Sequence, residues 1–352
     1  MGKKEVMIKA LQKELELRKD EFKGETVGTI YFGGGTPSVL NTVDINAIIE
    51  TVYVNFKVSE NPEITLEANP DDLNNSKIKE LADSPINRLS IGIQSFFEAD
   101  LKMMNRAHNA TEAETCIREA SKYFDNISID LIYGIPQMSN ERWSQNIEKA
   151  LSFHIPHISS YALTVEPKTA LKKFIEQGVV PPVDDEVAQE HYTILTTTLS
   201  NAGFDNYEIS NFGKPGYYSK NNTAYWQGKK YMGIGPSAHS FDGQRRGWNI
   251  ANNPKYIKSI QEEVLPMEVE ILSTTDTYNE YVMTGLRTIW GVSLNRIKTE
   301  FGDRYHTYIL QQAEKHIQEQ LLFLDGDTLL VSKKGKFLSD GIASDLFLLN
   351  LE

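Results

Sequence analysis

A chain of 352 residues is long enough to bury more than one core, and with 40% hydrophobic and 24% charged residues it has a globular composition, not a disordered or fibrous one. Its formal net charge of -12 excludes a broad electrostatic grip on nucleic acid or on an anionic lipid surface. The single cysteine, Cys116, excludes an intramolecular disulfide framework and fits a reducing compartment.

The opening "MGKKEVMIKALQKELELRKDEFKGE" has no apolar core of signal-peptide length, and Val6 stands where a myristoylation signal needs Ser or Thr. No run approaches the ~18 apolar residues of a membrane span. The expectation is a soluble, cytoplasmic protein that meets a membrane only through a partner. Val6, Ile8, Leu11, Leu15 and Leu17 recur at helical spacing and predict an amphipathic helix from residue 5 to about residue 25. Short β-rich runs then recur with helical segments between them: "TIYFGG", "EITLEAN", "RLSIGIQSF", "ISIDLIYG" and "ISSYALTV". That rhythm predicts successive βα units with parallel strands.

Alternation within these strands separates a doubly wound sheet from a curled one. Ile64, Leu66 and Ala68 oppose Thr65, Glu67 and Asn69; Leu89, Ile91 and Ile93 oppose Ser90, Gly92 and Gln94; Ile127, Ile129 and Leu131 oppose Ser128, Asp130 and Ile132. A doubly wound sheet, covered on both faces, would read as near-continuous apolar runs. One apolar and one largely polar face predicts helices outside and a ligand-bearing concave side, as in an incomplete barrel.

Residues 207 to 260 are rich in Gly, Asn, Ser and aromatics and predict a structured connection. Helices are predicted near 276 to 288, 293 to 301 and 304 to 320. "LLFLDGDTLLVS" then predicts two strands around a turn at Asp325, Gly326 and Asp327, with a short terminal helix. This is a winged-helix-like pattern, but Lys333, Lys334 and Lys336 make too thin a basic wing to bind nucleic acid on an acidic protein.

"TIYFGGGTPSVL" runs a strand into three glycines. A P-loop needs Lys-Ser or Lys-Thr after them, and Thr36-Pro37-Ser38 follows. A dinucleotide fingerprint needs Gly or Ala where Ser38 stands. A tight strand-to-loop turn is the plain alternative. Against it, Glu67, Gln94 and Asp130 lie late in their strands on the polar face, and parallel βα proteins build sites at that edge. Buried carboxylates there need internal partners, such as Arg106 of "MMNRAH", or a ligand bearing hydroxyl, amine and carboxylate groups.

In order and spacing, "YFGGGTPS", "EITLEANP", "NRLSIGIQSF", "MMNRAH", "IDLIYGIP", "SYALTVEP", "YEISNF" and "YMGIGPSAHS" resemble the oxygen-independent coproporphyrinogen III oxidase-like branch of the radical SAM superfamily, and most of all the HemW-type haem chaperones. The resemblance covers nearly the whole chain. It implies an α/β fold: an incomplete (β/α)6 TIM-like barrel lacking its first strand over 1–215, a connecting region over 216–265, and a helical, winged-helix-like domain over 266–352. Within the barrel it places S-adenosylmethionine against Gly34, Gly35 and Thr36. Glu67 and Asp130 become acceptors for its hydroxyl or amino groups, Gln94 a neutral partner, Arg106 the counter-ion of its carboxylate and Ala162 a small wall residue.

The sequence departs from that pattern twice. The superfamily holds a [4Fe-4S] cluster on a CxxxCxxC loop after the first barrel strand, whereas this sequence has Cys116 alone and starts at what resembles the first helix. Either the chain is a fragment or has a start assigned too late, or it is a natural cluster-less variant; the first is favoured because the remaining cofactor-contact residues are intact. The chaperones' HNxxYW element reads Asn221-Asn222-Thr223-Ala224-Tyr225-Trp226, with an amide in place of imidazole. Haem is left as a further candidate ligand, with His239 as a substitute ligand or an ordinary loop histidine. The expected function is a haem chaperone that binds S-adenosylmethionine and delivers haem to an acceptor protein. Coproporphyrinogen III oxidation and a cluster-less binding module are the alternatives.

Overall fold

The computed structural model describes residues 3–167 and 170–349. In chain order the elements are α1 (Lys3–Leu17), β1 (Val27–Phe32), α2 (Thr42–Asn55), β2 (Val58–Ala68), α3 (Asn75–Ala82), β3 (Arg88–Gln94), α4 (Glu98–Met103), α5 (Ala110–Ala120), β4 (Ile127–Tyr133), α6 (Asn140–Leu151), β5 (His157–Ala162), α7 (Ala170–Glu176) and α8 (Asp185–Asn201). There follow β6 (Asp205–Glu208), β7 (Asn211–Gly213), α9 (Lys220–Trp226), β8 (His239–Phe241), β9 (Arg245–Asn249), α10 (Asn253–Gln261) and β10 (Met267–Ile271). The chain ends through α11 (Thr274–Leu286), β11 (Val292–Ser293), α12 (Leu294–Phe301), α13 (Asp303–Gln318), β12 (Leu322–Asp325), β13 (Thr328–Val331) and α14 (Ser339–Asp345).

Local sequence explains where many helices start. Asn74, Asn109, Ser139, Asp184, Asn252 and Ser273 each accept a backbone N–H of the first turn, and Asn109 with Glu112 and Ser273 with Asp276 complete capping boxes. The first helix stops at Leu17, short of the predicted residue 25, and turns lead on to Gly24 at φ +93°.

The seven-stranded sheet runs in the order β1-β2-β3-β4-β5-β7-β6, a curled half-barrel. β2 through β5 pair in parallel, as the βα rhythm predicts. β7 pairs antiparallel with β5, and it pairs antiparallel with β6 because only Ile209 and Ser210 separate β6 from β7 and a parallel crossover needs a dozen residues or more. Leu66, Leu89, Ile91, Ile93, Ile129, Leu131 and Ile158 are buried on the apolar strand positions.

The chain divides into two compact units. One comprises Thr29–Thr42 and Glu63–Ser219; the other comprises Met1–Gly28, Val43–Pro62 and Lys220–Glu352. Within the second of these, α1 buries Ala10 against Tyr256 and Ile260 of α10, a partner no local pattern announces. The second unit also holds a three-stranded antiparallel sheet, β10-β9-β8, and a sheet β11-β13-β12. The latter packs with α11 to α14 around Tyr278, Val282, Ile297, Ile309, Leu329 and Leu346, the helical, winged-helix-like domain expected from the sequence.

Candidate functional site

The concave face of the half-barrel is polar from floor to rim. Strand register sets it out: Glu67 stands beside Ser90, and Asp130 beside Ser159. The Ser90 hydroxyl donates to Asp130 Oδ1 at 3.4 Å, while Tyr31 donates its hydroxyl to Glu67 Oε1 at 2.7 Å and Gly34 N–H donates to Oε2 at 3.3 Å. Burial, then the Glu67 charge, raises the Asp130 carboxyl to about 6, against the pull of Ser159, Arg88 and Ser90. Burial and the same Glu67 charge hold the Tyr31 phenol protonated well above its usual range.

The glycines divide the work of the loop. At Gly33 a Cβ would lie 2.7 Å from Tyr31 Cε1 and 2.9 Å from Glu67 Oε1, so the missing side chain makes room for that hydrogen-bonded pair. Gly34 and Gly35 instead take φ of +74° and +140°, with open space where a Cβ would stand. Gly33→Ala is expected to push Tyr31 off Glu67 and lower stability by about 1–3 kcal/mol, read from a urea titration. An unchanged midpoint would show that the pair moves freely. Thr36 is exposed and precedes a 3-10 turn at Pro37–Val39, and Ser38 ties the loop down by donating to Asp72 Oδ2 at 2.6 Å.

Arg106 follows α4. Burial lowers its guanidinium pKa while the charges of Asp130 and Asp71 oppose that shift, so it lies within the field of the Asp130 carboxylate. Among the described residues the Arg106 side chain forms no hydrogen bond or ion pair. His108, two residues on, has Nε2 3.1 Å from the Ile93 carbonyl oxygen and Nδ1 3.8 Å from Asp71, and so fastens this segment to the end of β3. Gln94 ends β3 at φ +68°, beyond a register shift, in line with Leu131. Its amide lies where a Cβ on Gly92 would be, 2.7 Å from Nε2. Ala162 is exposed at the end of β5, level with Tyr133. Glu67, Asp130 and Arg106 therefore share one electrostatic neighbourhood, Gln94 sits one register step past Asp130, and Ala162 marks the same edge farther along the sheet.

Sequence reasoning missed the floor. Arg88 is 2% exposed, yet its guanidinium has no hydrogen bond or ion pair among the described residues, and Nε is buried without a partner, as is Oγ1 of the neighbouring Thr65. His157 bridges Ser128 Oγ at 2.7 Å and Tyr207 Oη at 2.8 Å inside the lumen. Burial and the Arg88 charge hold its imidazole pKa well below the ordinary value, so it is neutral. Strand parity was the available signal: Tyr31 shares a face with Gly33, and Arg88 with Ser90 and Gln94.

A curled α/β half-barrel with a carboxylate-rich concave face and a C-terminal winged-helix-like domain defines a protein of the radical SAM fold. The Radical SAM superfamily model matches residues 4–150 and the HemN C-terminal domain model residues 272–338. The heme chaperone HemW of Lactococcus lactis is 32% identical over 322 residues, covering 91% of this chain and 85% of that protein. The mitochondrial radical S-adenosyl methionine domain-containing protein 1 of Mus musculus is 33% identical over 334 residues, covering 90% and 75%. The structure of Escherichia coli coproporphyrinogen III oxidase, a radical SAM enzyme, matches with a TM-score of 0.84 at 21% identity over 98% of this chain and 84% of that one, a likeness of fold. The chain belongs to the heme chaperone HemW family of the radical SAM superfamily.

The thiols of the chain do not fit the iron-sulfur cluster that the superfamily implies. Cys116 is buried in α5, and burial, with the Asp71 charge, pushes its thiol up to about 12, so no thiolate is on offer near neutral pH. Among the described residues no three His, Cys, Asp or Glu side chains are placed to hold a metal ion.

Proposed function

We propose that this chain is a haem chaperone whose half-barrel binds S-adenosylmethionine. The observation that carries the binding reading is the unbonded guanidinium of Arg106 beside Asp130, at a strand edge where exposed glycine backbone meets Glu67. A ligand with a carboxylate, an ammonium and ribose hydroxyls answers each group: Arg106 takes the carboxylate, Asp130 and Glu67 accept from the amine or hydroxyls, and Gln94 offers an amide. Gly34, Gly35 and Thr36 line the approach, and Ala162 leaves space at the far wall. Bound there, S-adenosylmethionine supplies a sulfonium centre. The residues of this chain would hold and orient it, and an ammonium at Asp130 would favour the ionised carboxylate against the burial that raises it.

Calorimetric titration of the chain with S-adenosylmethionine tests this. Uptake by the wild type, weakened about 30-fold or more by Arg106→Ala, is expected for loss of a partly buried charge-assisted contact. A wild type that takes up none overturns the binding reading. The haem reading is supported by the family's names, and is tested separately by titration with ferric haem followed in the Soret band and by transfer from loaded protein to an apo-haem protein.

A further inference from the structure

We propose that the outward face of the sheet β10-β9-β8 is the surface that takes the tetrapyrrole, with the imidazole of His239 as axial ligand to the iron. The inference rests on the haem reading above and gives that reading a site. Period-two alternation builds the face. His239 and Phe241 of β8 stand opposite Trp248 and Arg246 of β9, and Tyr231 forms a two-hydrogen-bond bridge with Phe241, so these five side chains share one side. Ser240, between His239 and Phe241, points the other way and is buried.

The face is aromatic. Ring centroids of Tyr231 and Phe241 are 6.2 Å apart, those of Tyr225 and Tyr231 5.4 Å, and those of Tyr225 and Trp226 5.4 Å; the His239 ring lies 6.3 Å from Trp248. Tyr225 is 50% exposed, a large apolar ring left open to solvent. An imidazole next to such a surface is the combination that a flat apolar macrocycle with a ligand-seeking iron requires.

His239 is the histidine best placed to serve. Among the described residues its ring nitrogens make no hydrogen bond; those of His154 and His306 make none either, but these two stand before β5 and in α13, off this sheet, whereas His157 uses both nitrogens, His108 and His191 are buried with one nitrogen bonded each, and His316 pairs with Asp345. Asn221 and Asn222, on the helix that carries Tyr225 and Trp226, offer amides, which are weak ligands to haem iron. The backbone beneath His239 is clamped: a Cβ on Gly233 would lie 2.0 Å from the His239 carbonyl oxygen, and Ser240 Oγ accepts from Arg18 at 3.1 Å and from Gly233 N–H at 3.0 Å. A ligand held on a fixed strand loses little freedom on coordination.

Charge orients the macrocycle. Glu268 and Glu270 of β10 extend the same face beyond Trp248 and Arg246, which turns carboxylates away from that margin. Arg287, which pairs with Asp340, lies 5.0 Å over the Trp226 ring, and Arg246 is held by Glu280 and the Tyr231 hydroxyl. The two propionates would point toward Arg287, away from Glu268 and Glu270.

The test is titration of the full chain with ferric haem, read by the Soret band and by low-temperature electron paramagnetic resonance for histidine ligation. Wild type, His239→Gly, His239→Gly with added imidazole, and Trp248→Ala are compared, with circular dichroism to confirm folding. The expected result is a histidine-ligated spectrum in wild type, at least a tenfold loss of affinity with loss of that signature in His239→Gly, and its return with imidazole. Trp248→Ala is expected to weaken binding while keeping the signature. A wild type that binds haem with a spectrum unchanged in His239→Gly overturns this site and leaves the haem reading standing. A wild type that binds no haem, or binds it without histidine ligation, overturns the site, and the first of these also removes the haem reading.

Discussion

Glu14→Ala is expected to lower stability by about 3–5 kcal/mol, the cost of leaving a buried cation and several donors without their partner. Glu14 on α1 and Arg18 just past its end are 0% and 1% exposed. Glu14 Oε1 accepts from Arg18 Nη1 at 3.2 Å and Asn249 Nδ2 at 2.8 Å, and Oε2 accepts from Gly235 N–H at 2.8 Å and the Tyr256 hydroxyl at 2.6 Å. Arg18 in turn donates to the Gly233 carbonyl oxygen at 2.7 Å and to Glu21 at 2.8 and 2.9 Å. One carboxylate thus satisfies four donors from the turn after the first helix, the loop before β8, the end of β9 and α10. Denaturant titration of the variant, beside the exposed pair variant Lys13→Ala as a control with no shift, checks it. A Glu14→Ala midpoint equal to that of the control would show that water replaces the carboxylate without cost.

The second large effect is a pH dependence at Asp130. Its carboxyl is raised from the ordinary 3.8 to about 6, by burial first and then by Glu67. A raised carboxyl contributes stability that is complete below the unfolded value and is lost as pH climbs through the folded one, because the unfolded chain ionises freely while the folded chain resists. The stability of the wild type relative to Asp130→Asn should therefore fall by about 2–3 kcal/mol between pH ~4 and pH ~7 and then level off. Arg88 draws the Asp130 value down, so Arg88→Met should carry the fall to higher pH. A flat difference curve would show that Asp130 is solvated, and an unmoved one in the Arg88 variant would separate the two groups.

Much of the fold was legible because its signals are local. Alternation in "EITLEAN", "RLSIGIQS" and "ISIDLIYG" separated the apolar positions, such as Leu66 and Ile91, from the concave ones, and put Glu67, Gln94 and Asp130 at the strand ends without any knowledge of neighbours. The turn at Asp325 to Asp327, with Gly326 at φ +57°, was announced by residue type in the same way.

What the chain order could not state is which groups meet. The glycine triplet reads as a tight turn or as room for a ligand, and only the structure shows Tyr31 and Glu67 filling the space left at Gly33. Arg106 was offered as an internal partner for the carboxylates, and the structure gives Glu67 to Tyr31 and Gly34 and leaves the guanidinium unbonded.

By itself, then, the sequence determined the period of each element, the face each side chain takes, the turn chemistry and the absence of a second thiol, since all of these follow from bonds and sterics within a few residues. Tertiary structure decided that Arg88 and His157 lie under the concave site, that α1 is locked to residues more than two hundred positions away, and that His239 shares a face with Phe241 and Trp248. Contact between distant segments depends on how whole elements pack, and packing is chosen by the summed burial and pairing of the chain, which no local window contains.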